Sequence, residues 1–229
     1  ASFTMLPHLA RNPGFNPLTD YAPINLVIDV PFVMVAPPTV PAKTLKEFID
    51  LLKTKPARHF QYASAGNGTL NHLIGEMLQK ATDIQLQHIP YKAAAAAATD
   101  VVGGQVPLSV QSMPSSIAFI RAGKLKALGV TTTDRSPNLP EVAPIADTLR
   151  GFSVDTWWGL VAPAATPREV IQRLNQAFVA ALQSPQAKAR FAQLMAEPVT
   201  TTPEEFGAFM RAELTRYEQV VKQSGAKVD

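Results

Sequence analysis

The chain has no cysteine, and that absence removes disulfide frameworks, thiolate nucleophiles and zinc–cysteine sites together. A cysteine-free chain fits either the cytosol or a bacterial periplasm in which stray oxidation is avoided. Histidine is scarce as well: His8, His59, His72 and His88 are the four present, with no second one at metal-ligand spacing, so neither zinc nor another metal is expected. Neither sign of charge dominates. The 21 Lys and Arg against 18 Asp and Glu give a net charge of +3 without a basic cluster, which argues against nucleic acid as a partner. Long hydrophobic runs are absent too, since no apolar stretch approaches the ~20 residues needed to cross a bilayer, and the alanine run is interrupted by Thr99 and Asp100. The opening residues, ASFTMLPHLARNPGF, have no basic segment followed by an apolar core, so no signal peptide is expected within them.

What is present is a supply of core residues, 46% of 229 positions being hydrophobic, enough for one large domain or two modest lobes. Short apolar segments bounded by Pro or Gly, at 31–37, 59–64, 84–91, 106–112, 125–132 and 154–163, read as buried strands. Helical patterns lie between and after them. Thr44 with Glu47, Thr166 with Glu169 and Thr202 with Glu205 each have capping-box spacing, and Pro167 fits a first helical position. Alternation of strand and helix from about 31 to 163 predicts an α/β fold with a mostly parallel sheet covered on both faces. After Pro163 the pattern is helical throughout. The expected division is a first lobe of residues 1–33 plus 160–229 and a second lobe of 34–159, the chain crossing near Val33 to Ala36 and again near Trp158 to Pro163.

The stretch YASAGNGTLNHLIGE places Gly66 and Gly68 between a predicted strand and a helix whose apolar positions are Leu70, Leu73, Ile74, Met77, Leu78 and Ala81. A turn needs one residue of positive φ, so a second glycine suggests that something approaches the backbone closely. In open α/β sheets this is where ligands bind, and free N–H groups at the positive helix end favour an anion. Ser64, Asn67 and Thr69 add side-chain donors; the plainer reading is a turn that Ser64 or Asn67 merely caps. A P-loop is excluded because Lys and Ser/Thr do not follow the last glycine. Ser64 and His72 can be imagined as nucleophile and base of a hydrolase, but no G-x-S-x-G elbow exists, and Glu76 and Asp100 are not an evident carboxylate pair. HIPYKAAAAAATDVVGGQVPL repeats the layout, with Tyr91 and Lys92 at the tip and Gly103 and Gly104 as the helix stop. Lys92 there either neutralises an anion or reaches solvent. In the strand with Trp157 and Trp158, alternation would turn one indole to the core and the other to a cleft, the plainer reading being that both pack.

In this order, VPAKTLKEFIDLLK, YASAGNGTLNHLIGEM, IPYKAAAAAATDVVGGQVPLSV, IRAGKLKALGVTTTDRSPNLPEV, WWGLVAPAATPREVIQRLNQAF and the late TPEEF resemble the Bug-type periplasmic solute-binding receptors of tripartite tricarboxylate transporters. The resemblance covers nearly the whole chain. It implies a two-lobed periplasmic-binding-protein fold of type II, closing by a hinge over a small organic carboxylate, with no catalysis and no cofactor. It implies the membrane components of a transporter as partners and a periplasmic location. Ser64, Ala65, Gly66, Asn67, Gly68, Thr69 and His72, with Tyr91, Lys92, Gln111 and Trp157, are the ligand-binding residues it suggests.

Departures from the family pattern carry their own expectations. The PFPAGGSTD-like loop of the family's first lobe is missing, so the chain is expected to start inside that lobe and to expose a sheet edge through which it can dimerise. Ala93 stands where the family has glycine, and Pro107 and Gln111 stand where it has acidic residues; losing a carboxylate there lessens repulsion of an anion or changes specificity. The competing reading is a cytosolic effector-sensing domain of a transcriptional regulator with the same fold.

Overall fold

A computed structural model describes residues 2–193 and 196–224. The chain divides into two compact units, one formed by Pro31–Asp155 and the other by Ala1–Val30 together with Thr156–Asp229. It passes between them twice, inside strand β1 (Tyr21–Ala36) and at the start of strand β6 (Asp155–Pro163).

In the central unit, β2 (Gln61–Ser64), β3 (Gln87–Pro90), β4 (Ser109–Ser112) and β5 (Lys126–Val130) join the second half of β1 in the order β3-β2-β4-β1-β5. The sheet is mixed where the sequence pointed to a mostly parallel one. β2 runs parallel to β3 and β4, but β1 is antiparallel to both its neighbours, with Met34 opposite Val110 and Gly129. The reason for the difference is physical: Val33, Met34, Val35 and Ala36 are all fully buried, and a run buried on both faces reads the same whichever way its partners run.

Helices cover this sheet: α2 (Leu45–Lys53), α3 (Leu70–Thr82), α4 (Ala94–Val102) and α5 (Met113–Arg121). Thr44 caps α2 as expected, accepting the Glu47 N–H at 3.2 Å, while the Glu47 carboxylate takes the Lys43 N–H at 2.7 Å. Gly103 and Gly104, the latter at φ +74, end α4.

In the flanking unit, α1 (Ser2–Leu9) packs along α8 (Pro203–Ser224), with α6 (Arg168–Gln183) and α7 (Pro185–Gln193) beside them. Leu26, Trp157, Phe206 and Met210 form its core cluster. The first half of β1 escaped the sequence reading because Pro23 and Asp29 interrupt its apolar signature. A strand also follows Pro163, contrary to expectation: β7 (Glu197–Pro198) pairs with β1 through Ile28 and Asp29. Two residues are too few to carry a period.

Two helix starts in this unit behave differently. Thr166 was expected to cap α6, but the cap position is Pro167, whose ψ of 141° is extended and which has no side-chain cap bond. The helix therefore begins one residue later, putting the Thr166 hydroxyl out of register with the first free amides. At α8 the capping box forms in full, Thr202 Oγ1 accepting the Glu205 N–H at 3.1 Å and the Glu205 carboxylate accepting the Thr202 N–H at 2.8 Å. Thr202→Ala is expected to cost about 1 kcal/mol, measured as a lower midpoint in urea unfolding at unchanged slope.

Candidate ligand-binding site

Strands β2, β3 and β4 run in one direction, so their C-terminal ends share one edge of the sheet, and each leads into a helix there. α3, α4 and α5 thus present three N-termini along that edge. Each helix end carries roughly half a positive charge on unpaired N–H groups. Thr69 caps α3 through its hydroxyl, whereas Ala93 at α4 and Ser112 at α5 make no side-chain cap bond. No side chain of the cap residue therefore covers the first amides of α4, while at α5 Pro114 in the first turn has no N–H and leaves fewer donors there.

The loop between β2 and α3 is built around its glycines. Gly66 sits at φ +128 and Gly68 at φ +71, backbone conformations that L side chains rarely adopt. A Cβ on Gly66 would come within 3.2 Å of the Tyr91 carbonyl oxygen. The Tyr91 N–H donates to the Ser64 carbonyl at 3.0 Å, so the first and second loops are joined at this point. Thr69 Oγ1 donates to the Gly66 carbonyl at 2.7 Å.

The Gly66 and Gly68 amides, expected to face a carboxylate, are taken up within the chain itself. The Gly66 N–H donates to Ser64 Oγ at 3.1 Å and the Gly68 N–H to His72 Nδ1 at 3.1 Å. Short local acceptors win because the loop folds back on its own helix. Ser64 is fully buried and lies 2.6 Å from His88 Nε2. The imaginable Ser64–His72 couple is therefore not formed, the Ser64 hydroxyl being engaged by His88 and the Gly66 N–H.

Beneath the loop lies a feature that the sequence reading missed. Tyr62 and Ser64, two residues apart, share the face of β2 toward α3, and the parallel register sets His88 opposite Tyr62. Tyr62, His88 and His72 form a stack of three rings, with centroids 4.8 Å and then 4.1 Å apart and interplanar angles of 21° and 9°. The Tyr62 hydroxyl donates to Glu76 Oε1 at 2.6 Å, Gln79 Nε2 donates to the same oxygen at 2.8 Å, and His72 Nε2 stands 3.7 Å from it. Because His72 Nδ1 accepts from Gly68, a neutral His72 carries its proton on Nε2, toward Glu76. Burial lowers the pKa of His72 despite Glu76, and burial with the neighbouring His72 charge pulls His88 down to about 4. Burial, then Glu76, raises that of Tyr62. The signal was Tyr62 and Ser64 at alternate positions of β2, with His88 on the neighbouring strand β3.

The remaining expected site residues divide. Ala65 and Asn67 lie in the first loop, Asn67 exposed, and Lys92 is exposed at the tip of the second. Tyr91 gives its hydroxyl to Asp100 Oδ2 at 2.7 Å, and burial with this bond pushes its pKa up to about 12. Gln111 is fully buried, its amide NH2 on Ser109 Oγ at 2.7 Å and its Oε1 without a partner. Trp157 is not in this unit: it packs in the core of the flanking unit, donating Nε1–H to Glu213 Oε2 at 2.9 Å, while its neighbour Trp158 is 62% exposed.

Comparison with known proteins adds relatives to this geometry. A family described as "Tripartite tricarboxylate transporter family receptor" matches residues 1–226. Protein BugT of Bordetella pertussis is 34% identical over 212 residues, covering 92% of this chain and 65% of BugT. The solved periplasmic binding protein BugD is 34% identical with a TM-score of 0.83, over 99% of this chain and 76% of that one. An R. palustris protein solved with adipate is 28% identical with a TM-score of 0.84, over 99% and 76%. The chain spans between 60% and 65% of the length of three curated relatives that it matches.

Proposed function

Because this chain belongs to the receptor family of tripartite tricarboxylate transporters, we propose that it is a periplasmic solute-binding protein. In this reading it takes up a small organic carboxylate and passes it to the membrane components of such a transporter, without catalysis. The observation that carries the reading is the row of three helix N-termini at one edge of the sheet, two of them without a side-chain cap. Amides there, with the exposed Lys92 and Asn67, offer donors and positive charge, while the nearby Asp100 carboxylate is bonded to the Tyr91 hydroxyl. The relative solved with adipate supplies the ligand chemistry by analogy. Ser64, Gly66, Gly68, Thr69 and His72 shape the first loop, and Ala65 and Asn67 contribute its outward groups. Gln111 stands behind that edge, where an acidic residue would repel the ligand.

Each amide or hydroxyl bond to a carboxylate contributes about 1.5–3 kcal/mol, so three or four of them, less ordering costs, reach micromolar affinity. The test is a thermal-shift titration of the protein with adipate, malate, citrate, glutamate and benzoate. A ligand at about 100 times its Kd stabilises by about 2.7 kcal/mol, which for a chain of this size raises Tm by roughly 5–10 °C. Lys92→Glu is expected to shrink the shift. No shift with any of the five would overturn the carboxylate reading.

A further inference from the structure

The ring stack under the loop is bonded to it at two points, and the row of helix termini does not account for it. His72 Nδ1 holds the Gly68 N–H at 3.1 Å and His88 Nε2 lies 2.6 Å from Ser64 Oγ, which in turn holds the Gly66 N–H. Both glycines of the loop are thus tied to an imidazole, one directly and one through a hydroxyl. We propose that the stacked pair His72 and His88 is a positioning device that holds residues 64–69 in their ligand-receiving shape only while His72 is neutral, so that affinity for an anion falls on acidification. This rests on the reading of the loop as part of a carboxylate site.

The chemistry is that of one acceptor. When His72 gains a proton, Nδ1 becomes a donor facing the Gly68 N–H, and two donors 3.1 Å apart cannot bond. Gly68, at φ +71, must turn away, and it adjoins Thr69, whose hydroxyl accepts the His72 N–H and donates to the Gly66 carbonyl. The whole loop is linked through these bonds. A charge on either ring also opposes one on the other, whose centroid is 4.1 Å away.

The surrounding groups act in both directions. Glu76 on α3 favours the cation, but its Oε1 is already shared between the Tyr62 hydroxyl from β2 and Gln79. Exposed Arg58 lines a cavity of about 370 Å³ together with Glu76 and His88. Strand β4, Ser109–Ser112, has no ionisable side chain. Burial outweighs Glu76 and keeps the pKa of His72 below its ordinary 6.5, so the loop is held at neutral pH and released below it. Simple Coulomb attraction predicts the reverse, because a bound anion would favour the imidazolium and bind more tightly in acid. The two accounts differ in sign.

His72→Asn separates them, since its Oδ1 can accept the Gly68 N–H but does not titrate; His72→Leu removes the acceptor. In 1H–15N spectra of the ligand-free protein between about pH 7.5 and pH 5, the Gly68 amide is expected to titrate in the wild type and to stay constant in His72→Asn. Over the same range adipate affinity is expected to fall in the wild type and to change little in His72→Asn, once the protonation of adipate itself, common to both, is divided out. His72→Leu is expected to bind weakly at every pH. A pH-independent Gly68 amide in the wild type, or equal affinity profiles in wild type and His72→Asn, would overturn the proposal. A titrating Gly68 amide in a protein that binds none of the five carboxylates would uphold the positioning role and remove the ligand assignment alone.

Discussion

Replacing Gly66 with valine is expected to raise the Kd for the carboxylate that gives the largest thermal shift by at least about 100-fold, equivalent to roughly 2.7 kcal/mol. At φ +128 the position lies outside the regions open to a β-branched residue, and holding one there costs about 1–3 kcal/mol. The new Cβ would also stand 3.2 Å from the Tyr91 carbonyl oxygen, pressing on the point where the first and second loops meet. The loop relieves both by moving, which pulls the Ser64 and Thr69 bonds apart. Gly123→Ala is the control: its φ of +69 is likewise left-handed, but an added Cβ there meets nothing within 4 Å. It should lose stability of the order of 1 kcal/mol and keep its affinity. Calorimetric titration of the two variants measures the contrast, and wild-type affinity in Gly66→Val would take the loop out of the site.

A still larger loss of stability is expected from Gly75→Ala. Gly75 lies on α3 directly over the Tyr62 ring, and a Cβ there would overlap the ring carbons Cε2, Cζ and Cδ2. Tyr62 is fully buried, flanked by His88 and bonded to Glu76, so it has nowhere to retreat. Overpacking in such a place costs about 3 kcal/mol or more, a fall in Tm of roughly 6–12 °C for a chain of this length. Tyr62→Ala alone is expected to cost about 3–5 kcal/mol through the cavity that it leaves. The double variant fills part of that cavity with the new methyl group, so its loss should be smaller than the sum by at least about 1 kcal/mol. Urea unfolding of the four proteins closes the cycle. Simple additivity would mean that Gly75 and Tyr62 do not touch.

Much of the first loop and its helix caps was legible in the sequence because they depend on local rules. Two glycines at a strand-to-helix junction, a threonine three residues before His72, and GG at the end of the alanine helix each act within a few residues. Local rules also misled in places. Thr166 has the spacing of a cap, yet Pro167 takes the position because its own dihedrals are extended. Glu76 showed no carboxylate partner in the sequence; its partners are a tyrosine 14 positions earlier, a glutamine and a histidine on its own helix.

The sequence by itself determined the alternation of strands and helices, the capped starts of α2 and α8, and the glycine loop, since propensity, capping and positive φ are decided by a residue and its near neighbours. It also carried enough of the family's pattern to identify the receptor class. The tertiary structure alone decided the direction in which β1 pairs, the two-residue strand β7, the burial of Trp157 in the flanking core and the stack of Tyr62, His88 and His72. Each of these is a meeting of residues far apart in the chain. Which of two polar residues on separate strands face each other depends on register, and register is set by the packing of the whole sheet.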